Sequence, residues 1–392
     1  MTADEPPVFH VVPRGRLGNQ MIQYMVALRF RELVPHCRIS SVSIPGWHIF
    51  HEKIEPSPEA VQEDREQHVD IEGLAARMLT GEIREVTFSG YGQRLENFLE
   101  VNRYRSVFKP PLARSVGFGD DVLLCPVRSG DVMTGVPHYP LTPIEFYADV
   151  IAETGLEPVF MGETQPGPYV QRLRERFPKA RFLKSQGAIT DFEIIRQSKN
   201  IVVGVSTFIW LAAWLSNAEA IYMAVSGLFN PRQYPLADLL PLDDPRYRFY
   251  LFPINYGVEV SGHVEVHQRI APYWRRMPAE ILGRQLREAP RFKPTVEQLG
   301  RLLDADYYLA RNHDVVIDGA DRYGAALDHF KSIGFSEGRK PFPLDEAWYA
   351  NQYPLAGFEV SQGDYADFVH HFAMVGIERG YRAVGMPTIV TS

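Results

Sequence analysis

The stretch from Val122 to Ala224 constrains this chain more than any other. Short β-rich runs at Val122–Val127, Glu157–Met161, Ala180–Leu183, Ile201–Val205 and Ala220–Ala224 alternate with helical segments. Thr142-Pro143-Ile144-Glu145 reads as a capping box with proline at the first helical position, opening a helix to Thr154 that stops at Gly155. Thr190-Asp191-Phe192-Glu193 reads as a second box, opening a helix to Ser198, and helices over Tyr169–Phe177 and Phe208–Leu215 complete the alternation. Parallel strands need a crossover rather than a tight turn. This pattern therefore predicts a parallel sheet covered on both faces, a doubly wound domain over residues 115–280.

The uncharged run Ile201–Ala218 lies inside that pattern. Ser206, Thr207, Ser216 and Asn217 interrupt it and Glu219 follows, which predicts a buried strand entering a buried helix rather than a membrane span. Upstream, Val8–Val12 ends at Pro13, and Met21, Ile22, Met25, Leu28, Phe30 and Leu33 follow at helical spacing. That is strand–turn–helix, the opening of another α/β unit. Glu52–Asp70 reads as a loop or exposed helix, Ser226–Arg248 as a long loop, and residues 286–295 as a linker. The last hundred residues repeat: Leu303-Asp304-Ala305-Asp306-Tyr307-Tyr308 matches Leu344-Asp345-Glu346-Ala347-Trp348-Tyr349, His329-Phe330 matches His371-Phe372, and Gly334 matches Gly376. Two such copies predict a small helical module rather than a solenoid.

With 41 Lys+Arg against 48 Asp+Glu, the net charge of −7 speaks against sequence-independent nucleic-acid binding. Two cysteines, Cys37 and Cys125, supply neither a disulfide framework nor a Cys-rich zinc site. The first ten residues have no basic-then-apolar leader, so the expected location is the cytosol, at most peripheral to a membrane.

Three constellations carry chemistry. Gly15-Arg16-Leu17-Gly18-Asn19-Gln20 sits between a strand and a helix, where glycines admit close approach, the helix start offers N–H groups, and Arg16 and Asn19 offer side-chain donors. It matches neither the dinucleotide fingerprint nor the P-loop. Arg128-Ser129-Gly130-Asp131 follows the Val122–Val127 strand, where open α/β sheets bind ligands. Asp131 either touches substrate or holds Arg128. Ser206-Thr207-Phe208 opens a helix after another strand; Ser206 is either a phosphate ligand or a helix cap. Asp243-Asp244 is expected to face solvent. His329 and His371 are expected to be structural, and Tyr307, Tyr308, Trp348 and Tyr349 to be core rather than sugar-stacking platforms.

Together the three motifs resemble the GDP-fucose-dependent fucosyltransferase superfamily, particularly the bacterial α-1,2-fucosyltransferases of glycosyltransferase family 11. That family's Gly-Gly/Arg-Leu-Gly-Asn-Gln element is matched by Gly15–Gln20 followed by Met21-Ile22-Gln23-Tyr24. Its His-x-Arg-x-Gly-Asp motif is matched at Arg128, Gly130 and Asp131, with Pro126 in place of the histidine, and its Ser-Ser/Thr-Phe-x-Trp element from Ser206 to Leu215. The tail repeat resembles modules on bacterial polysaccharide glycosyltransferases.

The resemblance implies a GT-B-like pair of Rossmann-type domains plus the helical module, divided as 1–115 (acceptor side), 116–285 (donor nucleotide) and 296–392. It implies inverting, metal-independent transfer of a sugar, fucose first among them, from a GDP-sugar to a glycan or glycolipid acceptor in bacterial surface polysaccharide or glycoconjugate synthesis. No cofactor is implied. Peripheral contact with a membrane-bound glycan assembly goes with such an acceptor. Arg128, Asp131 and Asn19 are the implied catalytic residues. Arg16, Gly18, Asn19, Arg128, Gly130, Ser206, Thr207 and Phe208 are the implied donor contacts. Asp131, His138 and Glu52 are candidates for the base, with a leaving phosphate oxygen as the alternative. A transferase for another nucleotide sugar shares every motif, and a non-catalytic nucleotide- or carbohydrate-binding protein is the other alternative.

Overall fold

The computed structural model describes residues 5–109, 117–259, 262–316 and 320–384. The expected division at 115/116 falls outside the described residues, as do the last eight of 296–392.

The N-terminal part is a parallel sheet of β1 (Val8–Val11), β2 (Arg38–Ser40), β5 (Val61–Glu63) and β6 (Glu85–Phe88), in the order β2-β1-β6-β5. A small antiparallel pair, β3 (Ser43–Ile44) and β4 (Ile49–Phe50), lies in the connection. Helices α1 (Leu17–Leu33), α2 (Ile71–Leu79) and α3 (Val101–Val107) accompany the sheet. The expected strand–turn–helix is β1 to α1. Strand β5 corrects the reading of 52–70 as loop or helix: its three residues complete the sheet edge through pairing with β6, which overrides their polar surroundings.

The second sheet has seven strands in the order β13-β12-β11-β10-β7-β8-β9. They are β7 (Val122–Val127), β8 (Glu157–Gly162), β9 (Arg181–Lys184), β10 (Asn200–Val203), β11 (Ala220–Val225), β12 (Tyr247–Leu251) and β13 (Arg275–Met277). All pair in parallel except β13, which runs antiparallel to β12. The crossovers are α4 (Ile144–Thr154), α5 (Pro168–Arg176), α6 (Ala188–Gln197) and α7 (Thr207–Trp214); α8 (His263–Ile270) and α9 (Ala279–Arg287) follow.

Neither expected capping box forms. Pro143 itself is the N-cap of α4, and the Thr142 carbonyl accepts from the Tyr169 hydroxyl. Helix α6 starts three residues before Asp191, at Ala188 after Gly187, and Asp191 instead accepts from the Ser185 hydroxyl and the Gln186 N–H. Nor is Ser226–Arg248 a free loop. Asp238 bridges to Arg94, and Asp244, expected in solvent, is half-buried and clasped by Arg246.

A continuous apolar core joins the two α/β parts. The Trp210 and Trp214 rings of α7 stack at 5.6 Å, and Trp214 packs on Phe98 and Tyr104 of the N-terminal part. An interface this apolar opposes free hinge motion. Arg105 and Arg246 cap the far end of α7 through the carbonyls of Trp214, Leu215 and Ser216. Among the described residues, no helix is long and apolar enough to cross a membrane.

The tail forms α10 (Val296–Gly300), α11 (Ala305–Arg311), α12 (Arg322–His329), α13 (Glu346–Gln352), α14 (Pro354–Ser361) and α15 (Phe368–His371). The repeat has a physical reason: Tyr308 pairs with His329 at 3.0 Å, and Tyr349 with His371 at 2.9 Å. Asp314 with Arg339, and Glu359 with Arg379, close the two equivalent networks. A Cβ at Gly334 or Gly376 would fall 2.0 or 2.5 Å from the tyrosine hydroxyl, which explains the repeated glycine. The histidines and the buried tyrosines are thus structural. The expected linker is pinned rather than free, because Phe292 N–H donates to Asp364 O and Arg291 N–H to Gly363 O. Two Rossmann-type domains and a helical module make the architecture GT-B-like.

One core residue gives this fold an acid sensitivity. His267 in α8 is buried with Nε2 at 3.0 Å from the Leu141 carbonyl, so Nε2 donates and Nδ1 is left without a partner. Burial above all, then the charges of His263 and Arg172, lowers its pKa to about 3. The unfolded chain binds this proton and the folded one does not. Stability is therefore complete above about pH 6.5 and falls toward pH 3, at about 1.4 kcal/mol per pH unit for one proton. Urea titrations at about pH 6 and pH 4 should show His267→Gln losing less stability than wild type. Equal losses would contradict this assignment.

Candidate functional site

The site follows from sheet topology. In the seven-stranded sheet the order reverses between β7 and β10, and in the four-stranded sheet between β1 and β6. A crevice opens beyond the carboxyl ends of strands at such a reversal, because the crossovers diverge to opposite faces. The β7–β10 ladder runs only through Leu124, so Pro126, which has no N–H to donate, falls where that pairing has ended. Both reversals open onto one cleft of about 500 Å3, within the range of small-ligand pockets. Gly15–Asn19 and Tyr91 line it from the first domain; Pro126–Arg128, Asp131, Glu163 and Ser206–Ile209 line it from the second.

Arg128 is fixed from three sides. Its Nε and Nη2 donate to the two oxygens of Asp131 at 3.1 and 2.8 Å, Nη1 donates to the Val205 carbonyl at 3.3 Å, and its guanidinium lies 4.6 Å from the centre of the Tyr139 ring. Its side chain is 23% exposed, so this oriented cation still reaches the cleft. The hydrogen bonds from Arg128 hold the Asp131 carboxyl below the usual carboxylate range, with the Arg16 charge at 3.7 Å adding to the effect. Asp131 thus holds Arg128, and such a carboxylate is a weak proton acceptor.

Two helix N-termini converge here. Helix α1 begins after Arg16, which makes no side-chain cap, so its first N–H groups lack intrahelical acceptors. Helix α7 begins after Ser206, whose Oγ accepts from Ile209 N–H at 3.4 Å. Ser206 is therefore a cap, one of the two roles open to it. The two helix starts are almost in contact: a Cβ on Gly18 would lie 2.9 Å from Phe208 Cα. The arrangement concentrates positive partial charge on one wall, a ready anion site.

Asn19 ties the domains together. Its Oδ1 accepts from Thr207 Oγ1 at 2.9 Å and from Gln93 Nε2 at 2.9 Å. Gln93 is in turn anchored by Gln67, whose Oε1 accepts the Gln93 N–H at 2.8 Å. Arg16 is largely exposed at the rim, and Gly130 lies against the Glu163 carboxylate.

His138 and Glu52 are not among the cleft's lining residues. His138 packs on Tyr234 at 4.8 Å with its pKa lowered by burial, and Glu52 is exposed elsewhere on the N-terminal domain. Neither is placed to act as a base. Sequence reasoning missed Glu163, Asp191, Tyr91, Tyr139 and Gln93. Glu163 Oε2 accepts the N–H groups of Ser129 and Gly130, both at 2.6 Å, and so braces the turn that carries Arg128. Its position one residue beyond β8 was the available signal. Among the described residues, no cluster of three or more metal-ligating side chains occurs.

Fold and cleft together define a GT-B-type protein with its candidate site between two α/β domains. No family model matches the chain, and no curated protein matches it. Among solved structures, a mutant of Arabidopsis thaliana FUT1 in complex with GDP is similar over 56% of this chain and 71% of its own, at 8% identity and a TM-score of 0.39. E. coli heptosyltransferase WaaC with ADP is similar over 55% and 86%, at 13% identity and a TM-score of 0.29. The iron-containing dodecameric glycosyltransferase TibC of enterotoxigenic E. coli is similar over 56% and 58%, at 13% identity and a TM-score of 0.26. TM-scores this low establish neither kinship nor activity.

Proposed function

We propose that this protein is an inverting glycosyltransferase that moves a sugar, fucose, from a GDP-sugar to a hydroxyl of an acceptor glycan in bacterial surface polysaccharide or glycoconjugate synthesis. The observation that supports this best is the oriented Arg128 guanidinium in one cleft with the starts of α1 and α7. That set of donors suits a diphosphate, and the sequence motifs that resemble the fucosyltransferases are the segments lining the cleft.

In the proposed reaction the bond from sugar C1 to the β-phosphate oxygen breaks while the acceptor oxygen bonds to C1 from the opposite face. Negative charge builds on the departing diphosphate. Arg128 and the N–H groups opening α1 and α7 stabilise it where it develops, which is the interaction that lowers a barrier. The acceptor's proton passes to solvent water on the face away from the diphosphate, because Asp131 is held by Arg128 and Glu163 by two backbone N–H groups. With fixed cations and dipoles at the diphosphate, transfer proceeds without a divalent metal. Pro126, in place of the family's motif histidine, bears on the donor sugar, so a different nucleotide sugar is the second reading.

A thermal-shift panel with GDP, UDP, CMP, dTDP and GDP-fucose, repeated with EDTA, tests the proposal. Selective stabilisation by GDP and GDP-fucose, of about 3 kcal/mol at a hundredfold excess over Kd and unaltered by EDTA, is expected. Selectivity for another nucleotide would discard fucose, and no shift with any would favour a non-catalytic protein.

A further inference from the structure

The tail module is fixed to the catalytic domain in a way that bears on Arg128. Three residues spaced along α13 and α14 grip the extended segment that leaves β12. Asn351 accepts Tyr256 N–H at 2.9 Å and donates to Tyr256 O at 3.1 Å, satisfying both backbone groups as a neighbouring strand would. The Gly357 carbonyl accepts Ile254 N–H at 3.0 Å, and a Cβ at Gly357 would lie 2.5 Å from Ile254 O. Buried Ser361 donates to Phe252 O at 2.7 Å and accepts from Asn230 at 2.8 Å. Phe252, Ile254 and Tyr256 are alternate residues, so one edge of an extended strand is read by the module at a period of two.

The other side of this segment meets the cleft. Gly257 N–H donates to Pro137 O at 3.1 Å, Thr134 bridges antiparallel to Glu259, and the His138 ring lies 6.0 Å from that of Tyr256. The loop over residues 134–139 so held contributes Val136 and Tyr139 to the cleft wall, and Tyr139 is the ring beneath Arg128.

We infer that the C-terminal module is a working part of the transferase: through Asn351 and the segment 252–257 it positions the 134–139 loop, and with it Tyr139 against Arg128. This rests on the proposed function for its consequence, while the mechanical coupling stands on the contacts alone. Asn351 is a positioning residue in this scheme.

The test compares the full-length wild type with Asn351→Ala, Asn351→Asp and, as a control on an exposed face of the module, Tyr323→Ala. Losing both hydrogen bonds in Asn351→Ala, or in Asn351→Asp the one donated to Tyr256 O with a carboxylate left facing that carbonyl, should raise local opening at residues 134–139 and 252–257 about tenfold in amide hydrogen exchange. Exchange in α4 and β8, and in Tyr323→Ala throughout, should stay at the wild-type rate. GDP affinity and donor KM should weaken by about the same factor while acceptor KM stays fixed, a split that general loss of folding does not produce. Unchanged exchange at 134–139 in both variants would overturn the inference. So would faster exchange there with GDP affinity intact. If wild type binds no nucleotide, the transferase reading fails, and the exchange comparison alone still decides the coupling.

Discussion

Arg128→Ala is expected to reduce transfer by at least about 10²–10³-fold while leaving the melting curve nearly in place. The guanidinium is held by Asp131, the Val205 carbonyl and the Tyr139 ring before any donor arrives, so no reorganisation is needed as charge appears on the diphosphate. Removing it leaves the helix dipoles alone to carry that charge. Stability should change little, because the half-exposed partner Asp131 can turn to water or to Arg16 at the rim. Arg128→Lys keeps a charge but loses the two-pronged hold of Asp131, and should recover only part of the activity. Donor turnover and differential scanning calorimetry on the same preparations check both statements. Full activity in Arg128→Ala with an unchanged melting curve would remove Arg128 from the site.

Gly18→Val should be the most damaging single change to the cleft that touches no charged group. A Cβ at that position would meet Phe208 Cα at 2.9 Å and Phe208 N at 3.0 Å, distances at which backbone must move. The new side chain therefore forces α1 and α7 apart, and both are held by a tightly packed core. Overpacking of this kind costs about 1–3 kcal/mol. The larger effect should be on binding, since the two helix starts and the Asn19–Thr207 hydrogen bond that sets their spacing are displaced together. Loss of the nucleotide-induced thermal shift, beyond what the lower melting temperature explains, is the expected result. A variant that binds nucleotide like wild type would show that this close approach is packing only.

The alternation of strands and helices from Val122 to Ala224 could be read in the sequence because a sheet buried on both faces demands continuous apolar runs. The positions of Arg128 and Ser206 could be read as well, since each follows such a run directly. Their neighbours could not. Gln93 meets Asn19 only because β1 and β6 are neighbours in the sheet, and Tyr139 lies beneath Arg128 only because the 134–139 loop is held by the segment after β12; neither is written locally. Glu163 follows β8 as Arg128 follows β7, but a single glutamate after a strand is an ordinary surface residue until Ser129 and Gly130 are seen to donate to it. The capping boxes fail because the helices start elsewhere: α4 has Pro143 as its N-cap, and α6 opens at Ala188, so Thr190 lies inside the helix and Asp191 turns back to the Ser185 hydroxyl and the Gln186 N–H. The docking of the tail was equally hidden, since Asn351 and Ser361 recognise main chain about a hundred residues away.

A crystal structure of the protein with GDP bound decides whether the cleft holds a diphosphate at Arg128. The expected result places the diphosphate in the cleft within hydrogen-bond reach of the Arg128 guanidinium and of the N–H groups opening α1 and α7. GDP seated instead in the adjoining cavity beside Met133, Gln165 and Tyr169, or away from both, would contradict it.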